Sequence, residues 1–355
     1  MNSAAPKQKP DLLSLFPEEL CSLAKTFGQP SYRGDQIFSW LCRGVPPAEM
    51  NNLPTSFRKI LESECEFRLP EIELKLVSKL DGTIKYLFRL IDGECIESVL
   101  MQYKHGNTLC ISSQVGCNMG CAFCASTIGG KVRDLLPSEM IGQVIAAQKD
   151  SGMRISNIVM MGIGEPLDNY DNTLKFLRLV NHPEGLNIGY RHISLSSCGL
   201  VDKIYKLAEE NLPITLSVSL HATDNKIRSS IMPVNRKWDI HALMRACAFY
   251  FEKTGRRISF EYTLLPGKND RAEDADALAS LLHRYMKPEG APLHVNLIPV
   301  NVVAECGIAS GTRAAAEAFA KVLEKRGISA TVRRRLGSDI HAACGQLRRQ
   351  NKKKV

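Results

Sequence analysis

From Thr108 onward the chain alternates short apolar runs with longer amphipathic stretches, and no other feature constrains its fold as strongly. The apolar runs are Thr108–Ser112, Ile155–Met161, His192–Ser196, Ile214–Leu220, Ile258–Leu264, Leu293–Ile298 and Ile328–Val332. Between them, Pro137–Asp150, Asn172–Val180, Val201–Glu210, Asp239–Lys253, Ala272–Tyr285 and Arg313–Lys325 place apolar residues at helical spacing. A helical crossover returns the chain to the same end of the sheet, so strands joined this way run parallel. Parallel strands covered by helices read as apolar runs. Six such βα units and a final strand fall short of the eight that close a full barrel. The expected core is α/β: a partial (βα)6 TIM-like barrel, open along one side.

The first part of the chain reads differently. Pro17–Phe27, Tyr32–Arg43 and Pro54–Ser63 are short helical patterns with Gly and Pro between them. Ile72–Leu80, Ile84–Leu90 and Glu94–Met101 then alternate apolar and polar residues, as strands of a small antiparallel sheet do, with Asp81-Gly82 as a hairpin turn between the first two. The expected division is a small α+β accessory domain over 1–95, the barrel over 96–345, and a basic tail over 346–355. The 355 residues are enough for both units. Met1–Pro10 is polar and no apolar run is long enough to span a bilayer, so a cytoplasmic protein with no membrane partner is expected. The net charge of +9 is uneven, with Arg333-Arg334-Arg335 in one cluster and Arg348, Arg349 and Lys352–Lys354 in another. Such a balance favours a polyanionic partner, nucleic acid first; for the tail alone, a solvated end serves as well.

Of the 12 cysteines, three stand in Gly116-Cys117-Asn118-Met119-Gly120-Cys121-Ala122-Phe123-Cys124. In a reducing compartment, grouped cysteines bind metal or do catalysis. This C-x3-C-x2-C spacing suits three corners of a [4Fe–4S] cubane, leaving the fourth iron without a side-chain ligand. An open iron is a place for a substrate or cofactor, and one-electron delivery there suits cleavage of S-adenosylmethionine. The competing reading is a zinc knuckle, with Cys110 or His105 as a fourth ligand.

Other unusual residues fall just past the strands, where a parallel barrel keeps its chemistry. Gly162-Ile163-Gly164-Glu165-Pro166 follows the second strand; its glycines let backbone approach a ligand, and Glu165 can accept from an ammonium group. It is not a dinucleotide fingerprint, because the third glycine is missing. Ser196 ends the third strand and Ser219-Leu220-His221 the fourth; Asn301 follows the sixth and Cys344 the last. Taken singly, each is an ordinary loop or core residue, and their common address is what raises them. Cys21, Cys42, Cys65, Cys95, Cys198, Cys247 and Cys306 read as small packed residues.

These segments together resemble the radical S-adenosylmethionine enzymes, and more closely the RlmN/Cfr family of RNA methyltransferases. The likeness is carried by Glu97-Ser98-Val99, Cys110–Cys117, Cys121, Cys124 and Met161–Leu167. It continues through Ser219–Ala222, Asn296–Pro299 and Ala342-Ala343-Cys344-Gly345-Gln346-Leu347, and so spans nearly the whole chain. Gly164-Glu165-Pro166 looks like the RlmN branch, since Gly-Glu-Ala is expected of many Cfr members. Val302-Val303 departs from the Asn-Pro that many relatives carry after Asn301.

The resemblance implies the following roles. Cys117, Cys121 and Cys124 hold the cluster. Gly164, Glu165, Ser196, Ser219, Leu220, His221 and Asn301 surround S-adenosylmethionine. Cys344 takes a methyl group, which becomes a carbon radical and adds to carbon-2 of an adenine. Glu97 accepts the proton, and Cys110 attacks Cys344 to release the RNA through a transient disulfide. The implied substrates are 23S rRNA and tRNA, with flavodoxin or ferredoxin as electron donor and a monomeric enzyme. Three rivals remain: a Cfr-type methyltransferase of carbon-8, a non-catalytic zinc-dependent RNA-binding protein, and a radical enzyme for a protein or metabolite.

Overall fold

The computed structural model describes residues 9–299, 311–334 and 336–340. Pro17 opens α1 (Pro17–Thr26), where a missing N–H costs nothing, and the Glu19 carboxylate returns to accept the Phe16 N–H at 2.7 Å. Then come α2 (Arg33–Leu41), α3 (Thr55–Glu64), β1 (Glu71–Val77), β2 (Ile84–Arg89), β3 (Cys95–Tyr103), β4 (Gly106–Cys110), β5 (Gln114–Gly116) and β6 (Lys131–Asp134). The repeating part follows as α4 (Pro137–Ser151), β7 (Ile155–Met160), α5 (Tyr170–Asn181), β8 (Ile193–Ser197), α6 (Val201–Glu209) and β9 (Thr215–Ser219). It ends with α7 (Asn225–Ile231), α8 (Ile240–Thr254), β10 (Ile258–Leu264), α9 (Ala272–Met286), β11 (His294–Pro299), α10 (Arg313–Lys325) and β12 (Ser329–Val332).

Ten strands form one sheet in the order β1-β2-β3-β4-β7-β8-β9-β10-β11-β12. From β4 to β12 each neighbour is parallel; β1, β2 and β3 are antiparallel and join the edge of β4. Among the described residues β12 pairs only with β11, so the parallel strands curl without closing, as the count of βα units requires. The antiparallel strands are therefore a wing of the barrel's own sheet, continuous with it by hydrogen bonds.

Asp81-Gly82 lies in the turn that joins β1 to β2, a connection over 78–83 in which the Ser78 N–H donates to the Thr83 carbonyl at 2.8 Å. Other local features depart from the sequence pattern. β1 is exposed almost throughout, so its alternation does not bury one face. The β5–β6 ribbon and α7 had no sequence signal of their own, being too short for a period to show. The parallel strands are not uniformly apolar. Leu195, Leu216, Val218, Phe260, Tyr262 and Leu297 are buried under the helices. Alternate positions Ser194, Ser217, Ser259, Glu261 and Asn296 line the hollow of the barrel instead.

A closed barrel fills its interior with branched aliphatic side chains. Here the inward side chains are small and polar and bridge sideways. Ser194 Oγ meets Ser217 Oγ at 2.9 Å, and Asn296 Nδ2 donates to Glu261 Oε2 at 2.7 Å. His294 meets Ser259 Oγ at 3.0 Å and Thr331 Oγ1 at 3.1 Å. Space is left over as two cavities. One of about 280 Å³ lies at the C-terminal ends of the strands, and one of about 460 Å³ lies toward their N-terminal ends. Met161, Glu261 and Arg333 line both.

Candidate active site

The cysteine loop is tied at its base by the β5–β6 ribbon. Gly116 adopts φ 81°, and a Cβ there would fall 2.0 Å from the Gly130 carbonyl oxygen, so only glycine fits. The Cys117 N–H donates to that same carbonyl at 3.2 Å, and Asn118 Oδ1 accepts the Lys131 N–H at 2.8 Å. Further along, the Ala122 N–H donates to the Ile231 carbonyl at 2.9 Å, fastening the loop to α7. All three thiols open into the upper cavity, together with Gly164, Glu165, Ser196, Ser219 and His221. The residues singled out from the strand ends are thus gathered at one place.

One of the expected residues sits back from the cavity. Leu220 does not line the cavity: its N–H donates to the Glu261 carbonyl at 3.1 Å and its carbonyl accepts from Arg228 at 3.0 Å. Its part is to brace the turn that presents Ser219 and His221. Asn301 and Cys344 lie outside the described residues, as do Cys306, Arg335 and the basic tail.

Gly164 holds φ 107° against Gln114, whose backbone nitrogen would lie 2.8 Å from any Cβ placed there. Gln114 Oε1 accepts the Glu165 N–H at 2.9 Å, coupling the cysteine ribbon to the Gly-Glu-Pro turn. Both Glu165 carboxylate oxygens are anchored by backbone: Oε1 accepts from Leu167 N–H at 3.1 Å and Oε2 from Cys198 N–H at 2.7 Å. Burial pushes this carboxyl up, and the two N–H donors oppose that. Glu165 also lines the cavity, and an ionised carboxylate there can accept from an ammonium group. His221 adopts φ 56°, and its Nδ1 accepts the Thr263 N–H at 2.9 Å, which leaves the proton on Nε2. Burial holds its pKa down to about 3, so the ring is neutral, with Phe123 against it edge-on at 4.8 Å.

The donor set fits an iron–sulfur cluster. Among the described residues no three His, Cys, Asp or Glu side chains converge closely enough to share one metal ion. A cubane asks for something else: three thiolates around a cavity, each on its own iron. Burial pushes the Cys117 thiol up to about 12 and raises Cys121 as well, and neighbouring thiols add to both. Such thiols become ligands when a cation displaces their protons.

Glu97 and Cys110 stand apart from this cavity, where β3 meets β4. Cys110 faces Val99 across the ladder, and Glu97 is two positions along β3, on the same face. Glu97 is 2% exposed and pairs with fully buried Lys85 at 3.0 Å. Burial raises the Cys110 thiol above its ordinary value. The chain leading to Cys344 is clasped onto the wing. Ser78 Oγ donates to Asp339 Oδ1 at 2.7 Å, the Lys79 N–H to Asp339 Oδ2 at 2.9 Å, and the Gly337 N–H to Asp81 Oδ2 at 2.8 Å. Neither this clasp nor Lys85 was singled out in the sequence, and no spacing there points to them. Arg228, Glu261 and Cys198 were also missed; for Glu261 the polar alternation Ser259-Phe260-Glu261-Tyr262-Thr263 was the available signal.

Residues 111–279 match the model of the Radical SAM superfamily. The chain is 50% identical over 340 residues to a probable dual-specificity RNA methyltransferase RlmN of Clostridium botulinum strain Eklund 17B, covering 96% of each. It is 48% identical over 347 residues to the Clostridioides difficile protein of the same name, covering 98% of this chain and 99% of that one. The crystal structure of a radical SAM methyltransferase from Sphaerobacter thermophilus superposes with a TM-score of 0.89 at 41% identity, over 95% of this chain and 98% of that one.

Proposed function

This chain belongs to the RlmN-type RNA methyltransferases of the radical SAM superfamily, and we propose that it methylates carbon-2 of an adenosine in 23S rRNA and in tRNA. The observation that carries this reading is the common cavity of Cys117, Cys121 and Cys124 with the Gly164-Glu165 turn, Ser196, Ser219 and His221. The family implies a [4Fe–4S] cluster and S-adenosylmethionine, and these residues are the ones that would hold them. Carbon-2 lies between two ring nitrogens and is too electron-poor to attack a sulfonium methyl. When bound, the cluster and its cofactor supply the one-electron cleavage that opens another route.

The remaining work falls to this chain's own side chains. Glu165 offers carboxylate lone pairs to the cofactor's ammonium group, and neutral His221 offers its Nε2–H as a donor. Cys344 is the methyl acceptor, since a thiolate bonds to a sulfonium methyl directly and the neutral thioether, S-adenosylhomocysteine, leaves. The Ser78–Asp339 clasp holds the approach to Cys344 against the wing that carries Glu97 and Cys110. Glu97, oriented by Lys85, takes the proton from carbon-2. The Cys110 thiolate then attacks the Cys344 sulfur, breaking its bond to the RNA-linked carbon as the disulfide forms, and that carbon keeps the electron pair and takes up a proton to become the methyl of the released RNA. We infer that the electron donor is a flavodoxin or ferredoxin, and that the enzyme acts as a cytoplasmic monomer. No helix among the described residues is long and apolar enough to cross a membrane.

The test is an anaerobic assay of reconstituted protein for 5′-deoxyadenosine and methyladenosine together, with mass spectrometry of the nucleoside. Appearance of 2-methyladenosine is expected; 8-methyladenosine assigns the Cfr-type reaction instead. Cys110→Ala is expected to trap protein covalently on RNA. Methylation that survives Cys344→Ala would sink the two-thiol scheme.

A further inference from the structure

Arg228 is fully buried on α7, the short helix to which the cysteine loop is fastened. Its Nε donates to the Leu220 carbonyl at 3.0 Å and its Nη1 to Asn235 Oδ1 at 3.0 Å. Its Nη2 donates to the carbonyls of Cys198 at 2.8 Å and Ser219 at 3.0 Å. Every acceptor is neutral. Among the described residues no carboxylate lies within ion-pairing distance of it. Cys198 stands between it and Glu165, its N–H donating to the carboxylate while its carbonyl accepts from Arg228.

An ion buried without a counter-ion costs several kcal/mol, and neutral donors can tie carbonyls together without that cost. A guanidinium here makes physical sense when an anion completes the site. The Cys198 and Ser219 carbonyls that Arg228 holds belong to residues lining the cavity of Cys117, Cys121 and Cys124, whose loop is fastened to α7. A cubane with three thiolates is net negative, and becomes more so on reduction.

We propose that Arg228 is the counter-ion of the iron–sulfur site, holding its negative charge against the ends of β8 and β9 and easing its reduction. The inference rests on the cluster reading given above and adds a residue that sets the cluster's potential, which net charge and hydrogen bonding control. The residue acts through the cluster and through the backbone it braces. It is a positioning and tuning residue.

The test uses the full chain, reconstituted anaerobically with iron and sulfide, its cluster counted per chain and titrated potentiometrically by electron paramagnetic resonance. Arg228→Gln keeps donors and removes charge. It is expected to lower the ratio of reduced to oxidised cluster at fixed potential by about tenfold, a midpoint about 59 mV more negative. Arg228→Lys keeps the charge and is expected to stay near the wild-type midpoint. Asn235→Asp offers a second arm if Arg228→Gln does not fold, since it sets a carboxylate against the guanidinium in place. The same negative shift is expected there. Unchanged midpoints in Arg228→Gln and Asn235→Asp, or equal shifts in Arg228→Gln and Arg228→Lys, overturn the proposal. Wild-type protein that takes up no iron and sulfide overturns the cluster reading instead.

Discussion

At the mouth of the parallel strands, functional groups are held by backbone close at hand. Gly116, Gly164 and His221 occupy left-handed conformations, Glu165 rests on the N–H groups of Leu167 and Cys198, and Arg228 pins three carbonyls. The antiparallel wing beside it works differently. Glu97 meets the side chain of Lys85 from a neighbouring strand, and Asp339 is clasped by Ser78 from 261 positions away. Many backbone anchors make the mouth a preformed receptacle for a cofactor. A few side-chain pairs let the wing bring a distant segment to a substrate. The difference teaches that binding and group transfer in one enzyme can rest on separable supports.

The sharpest way to break this comparison is the ion pair of the wing. Lys85→Met removes the cation from a buried carboxylate, and breaking such a pair costs roughly 3–5 kcal/mol. Urea unfolding should register that loss, while iron and sulfide per chain stay at the wild-type level. A parallel loss of cluster would mean that wing and mouth are one structural unit. Lys85→Met with Glu97→Gln should recover much of the stability without recovering methyl transfer.

An effect of comparable size is expected at the mouth, and it depends on pH. His221 titrates at about 3 when folded against an ordinary value of 6.5, so the unfolded chain binds the extra proton between those values. Stability of the cluster-free protein should therefore rise with pH from about 3 to about 6.5. The contribution approaches about 1.4 kcal/mol per pH unit within that window and levels off above it. Comparing the slopes of wild type and His221→Gln isolates this residue. An identical slope in the variant would show that the ring is not buried neutral.

The clasp should matter least for stability and most selectively for chemistry. Ser78→Ala or Asp339→Asn removes exposed or half-exposed hydrogen bonds, so methyl transfer to RNA should fall by no more than about tenfold. Cleavage of S-adenosylmethionine without RNA should be unchanged. Equal loss in both assays would place Asp339 in the service of the mouth, against the division drawn here.

Much of the mouth can be read directly from the chain, because its groups come from short contiguous segments. The C-x3-C-x2-C run, Gly162–Pro166 and Ser219–His221 each announce themselves, and the alternation of strands and helices says that they share one end of a sheet. Arg228 escaped because a helix of seven residues shows no period and an arginine on it looks solvated. Lys85 and the clasp escaped for another reason: strand register and a return of the chain across the sheet decide them, and neither leaves a local pattern. The hollow barrel was present as polar alternation in β8 to β11, hidden among apolar neighbours.

The sequence alone determined the parallel open barrel, the three candidate ligands and the strand-end turns, since period, spacing and glycine placement are properties of local chain. Tertiary structure alone decided that the wing continues the barrel's sheet, that Lys85 faces Glu97, and that a buried guanidinium lies under the cysteine loop. Those outcomes come from pairing between distant strands and from the cost of burying charge, which are settled only when the whole chain has packed.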